Sequence, residues 1–599
     1  MAPFPMADSL QARIVDHLAF LYGAEEAIPV WGALEAILRD FHSRNPDLAR
    51  APAEGPVTER DAILITYGDQ IREAGVPPLQ TLHEVLTETL EGSVSGVHLL
   101  PFFPYSSDDG FSIVDYSRVD PRLGTWADVE RLGHDFCLML DAVINHVSRE
   151  STWFQRFLAG NPEYADWFIA FEPDMPTGWI SEVVRPRALP LLTAVQTARG
   201  EKRVWTTFSD DQMDLNYAHA PVLLNVIEIL LLYVEKGARM IRLDAIAYLW
   251  KKIGTSCIHL SETHRVVKLL RCVLDAVAPG VLLITETNVP HEENVSYFGE
   301  PRPDASRTDE AQLVYQFPLP PLVMHSLLTG SACTLSRWAA ELQTPAGSTF
   351  FNFTASHDGI GVMPARGLLT QAEIQALVAA TLAHGGLASY KTNADGSRSV
   401  YELNISYFDA LSDPAAGEPR GIQVARFVAS QAIMLALAGV PGIYVHSLLG
   451  SRSWRAGVAQ TGRNRTINRQ KFERSTLERA LGDPGSLRHQ VYRAYRRLLR
   501  ARMTERAFHP LGAQRVLFLG EAVFALVRSA PGSDEEVLCL HNVSDQVQDI
   551  SLASINAAVS SGPWRDLIGG EILDDGASVV SLPPYAVYWL KPTTSHRGR

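Results

Sequence analysis

The stretch Arg239-Met240-Ile241-Arg242-Leu243-Asp244-Ala245-Ile246-Ala247-Tyr248 is short, apolar and β-branched around a central Arg-x-Asp. It follows an apolar helical pattern in which Leu223, Ile227, Leu230 and Val234 share one face, with a turn at Gly237 between the two. Helix, turn and strand read together as one α/β unit. Side chains alternate along a strand, so Arg242 and Asp244 point one way and Leu243 the other. A carboxylate and a guanidinium on one face of a strand end suit either a structural ion pair or a reaction centre. The stretch alone does not choose between them.

Seven more runs of the same texture surround it. Ile63-Leu64-Ile65-Thr66-Tyr67, Gly96-Val97-His98-Leu99-Leu100-Pro101 and Phe136 to His146 precede it. Val281 to Glu286, Leu313 to Phe317, Phe350 to Phe353 and Gly442 to His446 follow. Helical patterns fall between most of them. Eight buried strands alternating with helices predict a (β/α)8 TIM barrel, whose active site lies at the C-terminal strand ends. Polar residues collect at those ends: Asp141, Asn145 and His146, then Arg242 and Asp244, then Glu286, then His357 and Asp358.

The remaining segments divide the chain. Residues 1–60 read as an amphipathic helical extension ending in a turn-rich linker, and 61–147, 219–358 and 422–503 as the three parts of the barrel. Residues 148–218 are too long for a simple connection and predict an inserted domain; 359–421 predict a second insertion, over the barrel mouth. From 504 to 599 the texture changes to short strands such as Val523-Phe524-Ala525-Leu526-Val527, which predicts an all-β, sandwich-like C-terminal domain.

The 599 residues carry a formal net charge of −14, which argues against nucleic acid and anionic membrane surfaces as partners. No stretch is long and apolar enough to predict a span. The first 21 residues lack a basic start and apolar core, so no signal peptide is expected. Five scattered cysteines fit reduced thiols, and the expectation is a cytoplasmic protein acting on small molecules, with no cofactor and no metal site. Oligomeric state is left open, a homodimer being one option.

Three carboxylates, Asp244, Glu286 and Asp358, end separate strands of one barrel. Retaining glycoside chemistry uses a nucleophilic carboxylate and a protonatable one roughly 5–5.5 Å apart. Arg242, on the face of Asp244, would hold it ionised. The apolar surroundings of Glu286 and nearby negative groups would keep that carboxyl protonated. His146 and His357 suit hydrogen bonds to sugar hydroxyls.

Asp141-Ala-Val-Ile-Asn145-His146, Arg242-Leu-Asp244-Ala, Glu286 and His357-Asp358 resemble, in order, the four signature regions of the α-amylase clan. That resemblance implies Asp244 as nucleophile, Glu286 as general acid/base and Asp358 as transition-state stabiliser. Asn145 resembles a calcium ligand of true amylases, without an accompanying acidic cluster in the inserted domain. Pro101-Phe-Phe-Pro104, Asp108-Asp109-Gly110-Phe111, Phe317-Pro-Leu-Pro-Pro321 and His357-Asp358-Gly359-Ile360-Gly361-Val362 are similar to the sucrose phosphorylase branch. There phosphate attacks the glucosyl-enzyme and α-glucose 1-phosphate leaves. By that analogy Asp108, Phe111, His146, Phe208, Gln212, Arg242, Tyr248, His357 and Arg465 line the glucose site, and Arg187 and Tyr401 meet phosphate or the leaving sugar. The N-terminal extension, Thr285 to His291, Met363 to Leu369 and Arg398-Ser399-Val400-Tyr401-Glu402 look more like the glucosylglycerate phosphorylases of the same branch. Arg187, Lys391 and Arg398 could meet the glycerate carboxylate, though an arginine serves phosphate equally well. Sucrose, sucrose 6-phosphate and glucosylglycerol phosphorylases are the alternatives.

Overall fold

The structure is a computed structural model that describes residues 6–50, 55, 57–186, 189–302, 306–392, 397–533, 535–551, 563–573 and 579–593. Eight parallel strands close into a barrel: β1 (Ile63–Thr66), β2 (Gly96–Leu99), β3 (Cys137–Ala142), β4 (Ala238–Leu243), β5 (Leu282–Thr285), β6 (Leu313–Tyr315), β7 (Thr349–Asn352) and β8 (Val440–Tyr444). Each coincides with one of the eight runs picked out in the sequence. Closure comes from β1, which pairs with β2 at Ile65↔His98 and with β8 at Ile65↔Tyr444. Nearly every strand residue is buried, as a parallel sheet covered by helices requires.

The helix Ala220–Glu235, carrying the apolar face that precedes the opening stretch, buries Leu223, Ile227, Leu230 and Val234. It delivers the chain into β4 through Lys236 and Gly237, the latter at φ 105°. Between β3 and that helix lies a three-stranded antiparallel sheet of Ala170–Phe171, Gly200–Trp205 and Leu192–Thr197, with a two-stranded pair of His146–Ser148 and Gln212–Asp214. Between β7 and the helix Arg420–Ala436, the strands Leu387–Thr392 and Arg398–Asn404 form a hairpin whose edge takes up Ile360–Gly361. The C-terminal part is a six-stranded antiparallel sheet with a separate two-stranded pair.

The helices Asp8–Tyr22 and Ala24–Arg44 pack on each other and on Ser261–Val277, the helix that follows β4. They bury Ile14, Leu18, Leu34, Leu38 and Phe41. Tyr22 ties the extension to the barrel: its ring lies 6.5 Å from that of Trp250, and its hydroxyl donates to the Tyr217 carbonyl. No helix among the described residues is long and apolar enough to cross a membrane, and the five cysteines are free.

Candidate active site

The strand register brings the carboxylates together. Leu243 pairs with Thr285, so Asp244 and Glu286 leave adjacent strands at the same height. Strands lie about 4.8 Å apart, which suits the close carboxyl pair of a retaining enzyme rather than the wider inverting one. A single guanidinium serves both: Arg242 Nη1 donates to Asp244 Oδ1 at 2.8 Å, and Nη2 lies 3.8 Å from Glu286 Oε1. Arg242 also pairs with Asp141, whose other oxygen meets His98 Nε2 at 2.7 Å. Asp141 therefore fixes the arginine from below and stands back from the pocket.

Just past the nucleophile position, Ala245 adopts a left-handed conformation (φ 48°, ψ 32°) and donates its N–H to Glu286 Oε2 at 3.0 Å. A non-glycine residue held there carries strain, and here the strain aims a backbone donor at the second carboxyl.

The electrostatics refine the expectation for Asp244. Burial pushes its carboxyl up to about 8, with Glu286 and Asp141 adding repulsion and Arg242 pulling the other way. Glu286 is also raised, by burial first and by Asp358, against Arg242. Arg242 thus does not hold Asp244 ionised unaided, and burial raises both carboxyls of the pair. The direct 2.8 Å bond from Arg242 favours leaving the negative charge on Asp244 and the proton on Glu286.

Asp358 is different. Burial would raise its carboxyl, but Arg465, His357 and Arg469 outweigh burial and hold it well below the usual range. Arg465 Nη1 is in direct contact with Asp358, and Arg469 Nη2 lies 3.6 Å away. His357 stacks flat on Phe111, with ring centres 4.8 Å apart and planes 2° from parallel, and burial pushes its imidazole down to about 3. It is neutral at working pH, a partner for hydroxyls rather than a charge.

Around these groups lies a pocket of about 690 Å³ including its open mouth, a size that suits a small ligand. Asp108, Phe111, His146, Phe208, Gln212, Tyr248, His357, Tyr401 and Arg465 all line it, with the three carboxylates. Arg242 sits beneath its floor. One side is knitted by the Phe111 carbonyl, which faces His146 Nε2 at 2.9 Å and accepts from Gln212 Nε2 at 3.0 Å. Phe208 stands edge-on to Tyr248 at 5.5 Å. Asp108 and Asp109 both have positive φ where the loop turns into the pocket.

Of the residues assigned to phosphate or acceptor, Tyr401 lines the pocket and Arg398 does not. Arg187 lies outside the described residues, although its neighbour Pro186 lines the pocket. Arg398 lines a separate cavity with Arg366, Tyr390 and Val400. The cause is strand geometry: Arg398 pairs with Thr392 and Val400 with Tyr390, and a bulge between Ser389 and Tyr390 then leaves Tyr401 as the extra residue. Tyr401 turns into the catalytic pocket, while Arg398 stays with the other cavity.

Other polar partners were not singled out in the sequence. Asn288, two residues after Glu286, lines the pocket and donates to the Tyr401 hydroxyl at 3.4 Å. Glu402 ties Arg465 through Nη2 at 3.1 Å and Nε at 3.3 Å. Lys251 Nζ contacts Asp214 and the Asn145 side-chain oxygen, each at 2.7 Å, so an ammonium sits where Asn145 suggested a calcium ligand. Among the described residues no group of three His, Cys, Asp or Glu side chains is arranged to hold a metal ion. The available signals were a pair of lysines, Lys251-Lys252, after an apolar segment and an acid directly following Tyr401.

Comparison with known proteins agrees with this geometry. Residues 89–358 match the family model described as alpha amylase, catalytic domain. A glucosylglycerate phosphorylase of Spirochaeta thermophila is 50% identical over 97% of this chain and 98% of that protein. A sucrose phosphorylase of Agrobacterium vitis is 34% identical over 74% of this chain and 88% of its own length. The crystal structure of sucrose 6F-phosphate phosphorylase from Thermoanaerobacter thermosaccharolyticum superposes with a TM-score of 0.69 at 26% identity, covering 81% of this chain and 94% of that one. The chain is a glycosyl-transferring enzyme and belongs to the α-amylase family, in the phosphorylase branch that includes the glucosylglycerate phosphorylases.

Proposed function

We propose that the enzyme is a retaining glucosylglycerate phosphorylase, converting 2-O-α-glucosylglycerate and phosphate to α-glucose 1-phosphate and glycerate. The observation that carries this is the 50% identity to a protein of that name across almost the whole of both chains, N-terminal extension included. In the first half-reaction Asp244 attacks the anomeric carbon and Glu286 protonates the departing glycerate oxygen, giving a β-glucosyl-enzyme. In the second, Glu286 accepts a proton from phosphate as phosphate attacks the same carbon, and Asp244 leaves. Asp358, held ionised by Arg465 and Arg469, faces the positive charge that develops on the sugar. Tyr401 and Asn288 stand on the acceptor side, where Arg187 would supply positive charge to phosphate or glycerate.

The test runs the reaction in reverse: glucose 1-phosphate is offered with glycerate, fructose, fructose 6-phosphate and glycerol in separate assays, and released phosphate is measured. Glycerate is expected to be the preferred acceptor. A clear preference for fructose, fructose 6-phosphate or glycerol would replace this reading with the corresponding phosphorylase of the branch.

A further inference from the structure

Between β4 and the helix Ser261–Val277 the chain makes a turn, Lys252 to His259, that has no part in the catalytic geometry described above. Its backbone is strained: Gly254 (φ 81°), Cys257 (φ 52°) and His259 (φ 55°) all have positive φ, two of them carrying side chains. Side chains hold it there. Thr255 Oγ1 donates to the Lys252 carbonyl at 2.7 Å and accepts from the Cys257 N–H at 3.2 Å, and Cys257 Sγ donates to the same carbonyl at 3.3 Å. The His259 N–H donates to the carbonyl of Ala247, which lines the catalytic pocket.

The same turn grips the inserted segment. The Ser256 carbonyl accepts from the Val184 N–H at 2.9 Å. Cys257 is 2% exposed and packs with Val183, Leu191 and Trp205 in a small cluster apart from the main core. The other members of that cluster, including Trp179 stacked on Trp205, come from the inserted segment, so Cys257 is its attachment to the chain leaving β4. Two residues beyond Val184, Pro186 is buried and lines the catalytic pocket. Pro186, Asp108, Tyr401 and Arg465 also line an outer cavity of about 1560 Å³ including its open mouth. These four residues mark the neck where the pocket opens into that cavity.

We propose that Thr255 and Cys257 are positioning residues: through the Ser256 carbonyl and Val183–Val184 they fix the Pro186 wall of the neck. That wall sets the fit of whatever stands between the glucose site and the outer cavity. The inference rests on the phosphorylase reading above, in which that molecule is departing glycerate or incoming phosphate. Neither residue lines the catalytic pocket, so both act through the wall. The glucose site is knitted separately, by Phe111, His146 and Gln212. A displaced wall therefore impairs capture of the acceptor and leaves transfer of glucose to Asp244 intact.

The experiment uses the full-length enzyme with α-glucosyl fluoride, whose leaving group is a single atom, as donor and phosphate as acceptor. In a double displacement kcat/KM for the donor reports formation of the glucosyl-enzyme, and kcat/KM for phosphate reports its capture. Thr255→Val keeps the shape of a half-buried side chain and removes both hydroxyl bonds. It is expected to lower kcat/KM for phosphate by about tenfold, through KM, and to leave the donor value unchanged. Thr255→Ser, which keeps the hydroxyl, should retain the wild-type phosphate value. Cys257→Val, whose branched side chain resists φ 52°, should produce the same split by a different route. Equal losses for donor and phosphate, or no loss in either valine variant, would overturn the proposal, as would Thr255→Ser behaving like Thr255→Val. The wild-type assay separates the two readings: if the unaltered enzyme makes glucose and no glucose 1-phosphate in the presence of phosphate, the phosphorylase assignment itself falls.

Discussion

Two buried charges carry consequences at the level of single residues. The Asp244 carboxyl is pushed up to about 8 in the folded state, above its ordinary value. The Asp244–Glu286 pair therefore keeps a proton that the unfolded chain gives up, and the pair's contribution to stability is complete below the ordinary carboxylate range and is lost as pH rises through about 8. Asp244→Asn, which still offers Arg242 an oxygen, should remove that penalty and abolish turnover. Its melting temperature is expected to exceed the wild type's at pH 8 by on the order of 1–3 °C, an advantage that shrinks toward pH 4. Differential scanning calorimetry across that range checks it; an advantage that grows toward acid would refute it. Lys251 is the opposite case, an ammonium whose loss strands a carboxylate. The Lys251 and Asp214 side chains are 3% and 0% exposed, so Lys251→Met should cost roughly 3–5 kcal/mol, read by denaturant unfolding. The corners of the site at Asp244 and Glu286 were legible in the sequence because each directly follows an apolar strand, and Asp358 because it follows His357 six residues beyond another. The clamps on them were not: Glu402 reaches Arg465 across 63 positions and Lys251 reaches Asn145 across 106. Such pairings are decided by loop paths, which hydrophobic periodicity does not describe.

At the level of elements, the hairpin Leu387–Thr392 and Arg398–Asn404 shows how much one irregularity decides. Val400 pairs with Tyr390 and Glu402 with Ser389, so the bulge leaves Tyr401 between them with no strand partner, and it lines the catalytic pocket while Arg398 and Val400 line another cavity. The sequence reading put a polar loop here, where the structure has two paired strands, and a bulge leaves no compositional mark. The barrel strands were readable for the converse reason: buried on both faces, they are uninterrupted apolar runs. The N-terminal helices were visible as amphipathic segments, yet nothing in them announced what they cover. They lie on Ser261–Val277, and Tyr22 packs beside Trp250, two residues beyond the pocket residue Tyr248. A chain lacking residues 1–50 would expose that helix and loosen the segment after the nucleophile. It is expected to melt lower than the full chain and to lose kcat; an unchanged kcat would mean that the extension does not support the site.

Across the whole molecule, one large apolar core joins parts of all the segments. A continuous apolar cluster runs from Ile14 and Leu18 of the extension through the barrel to Phe524, Leu526 and Trp589 of the C-terminal sheet. Arg528 of that sheet is fully buried and donates to the Ala436 carbonyl, at the end of the helix that feeds β8. The other face of the C-terminal sheet keeps a cluster of its own around Leu538, Leu540 and Trp564, and the segment after β3 another around Leu191 and Trp205. Closure of the barrel adds a constraint in time. β1 is among the first segments made, and β8, which must pair with it at Ile65↔Tyr444, follows about 370 residues later, roughly 20–75 s at ordinary translation rates. Throughout that interval Ile63–Thr66 has one edge with no strand to bind. The nascent chain must wait with an open sheet before its catalytic corners can exist, so its yield in a cell depends on what shields that edge while the ribosome finishes.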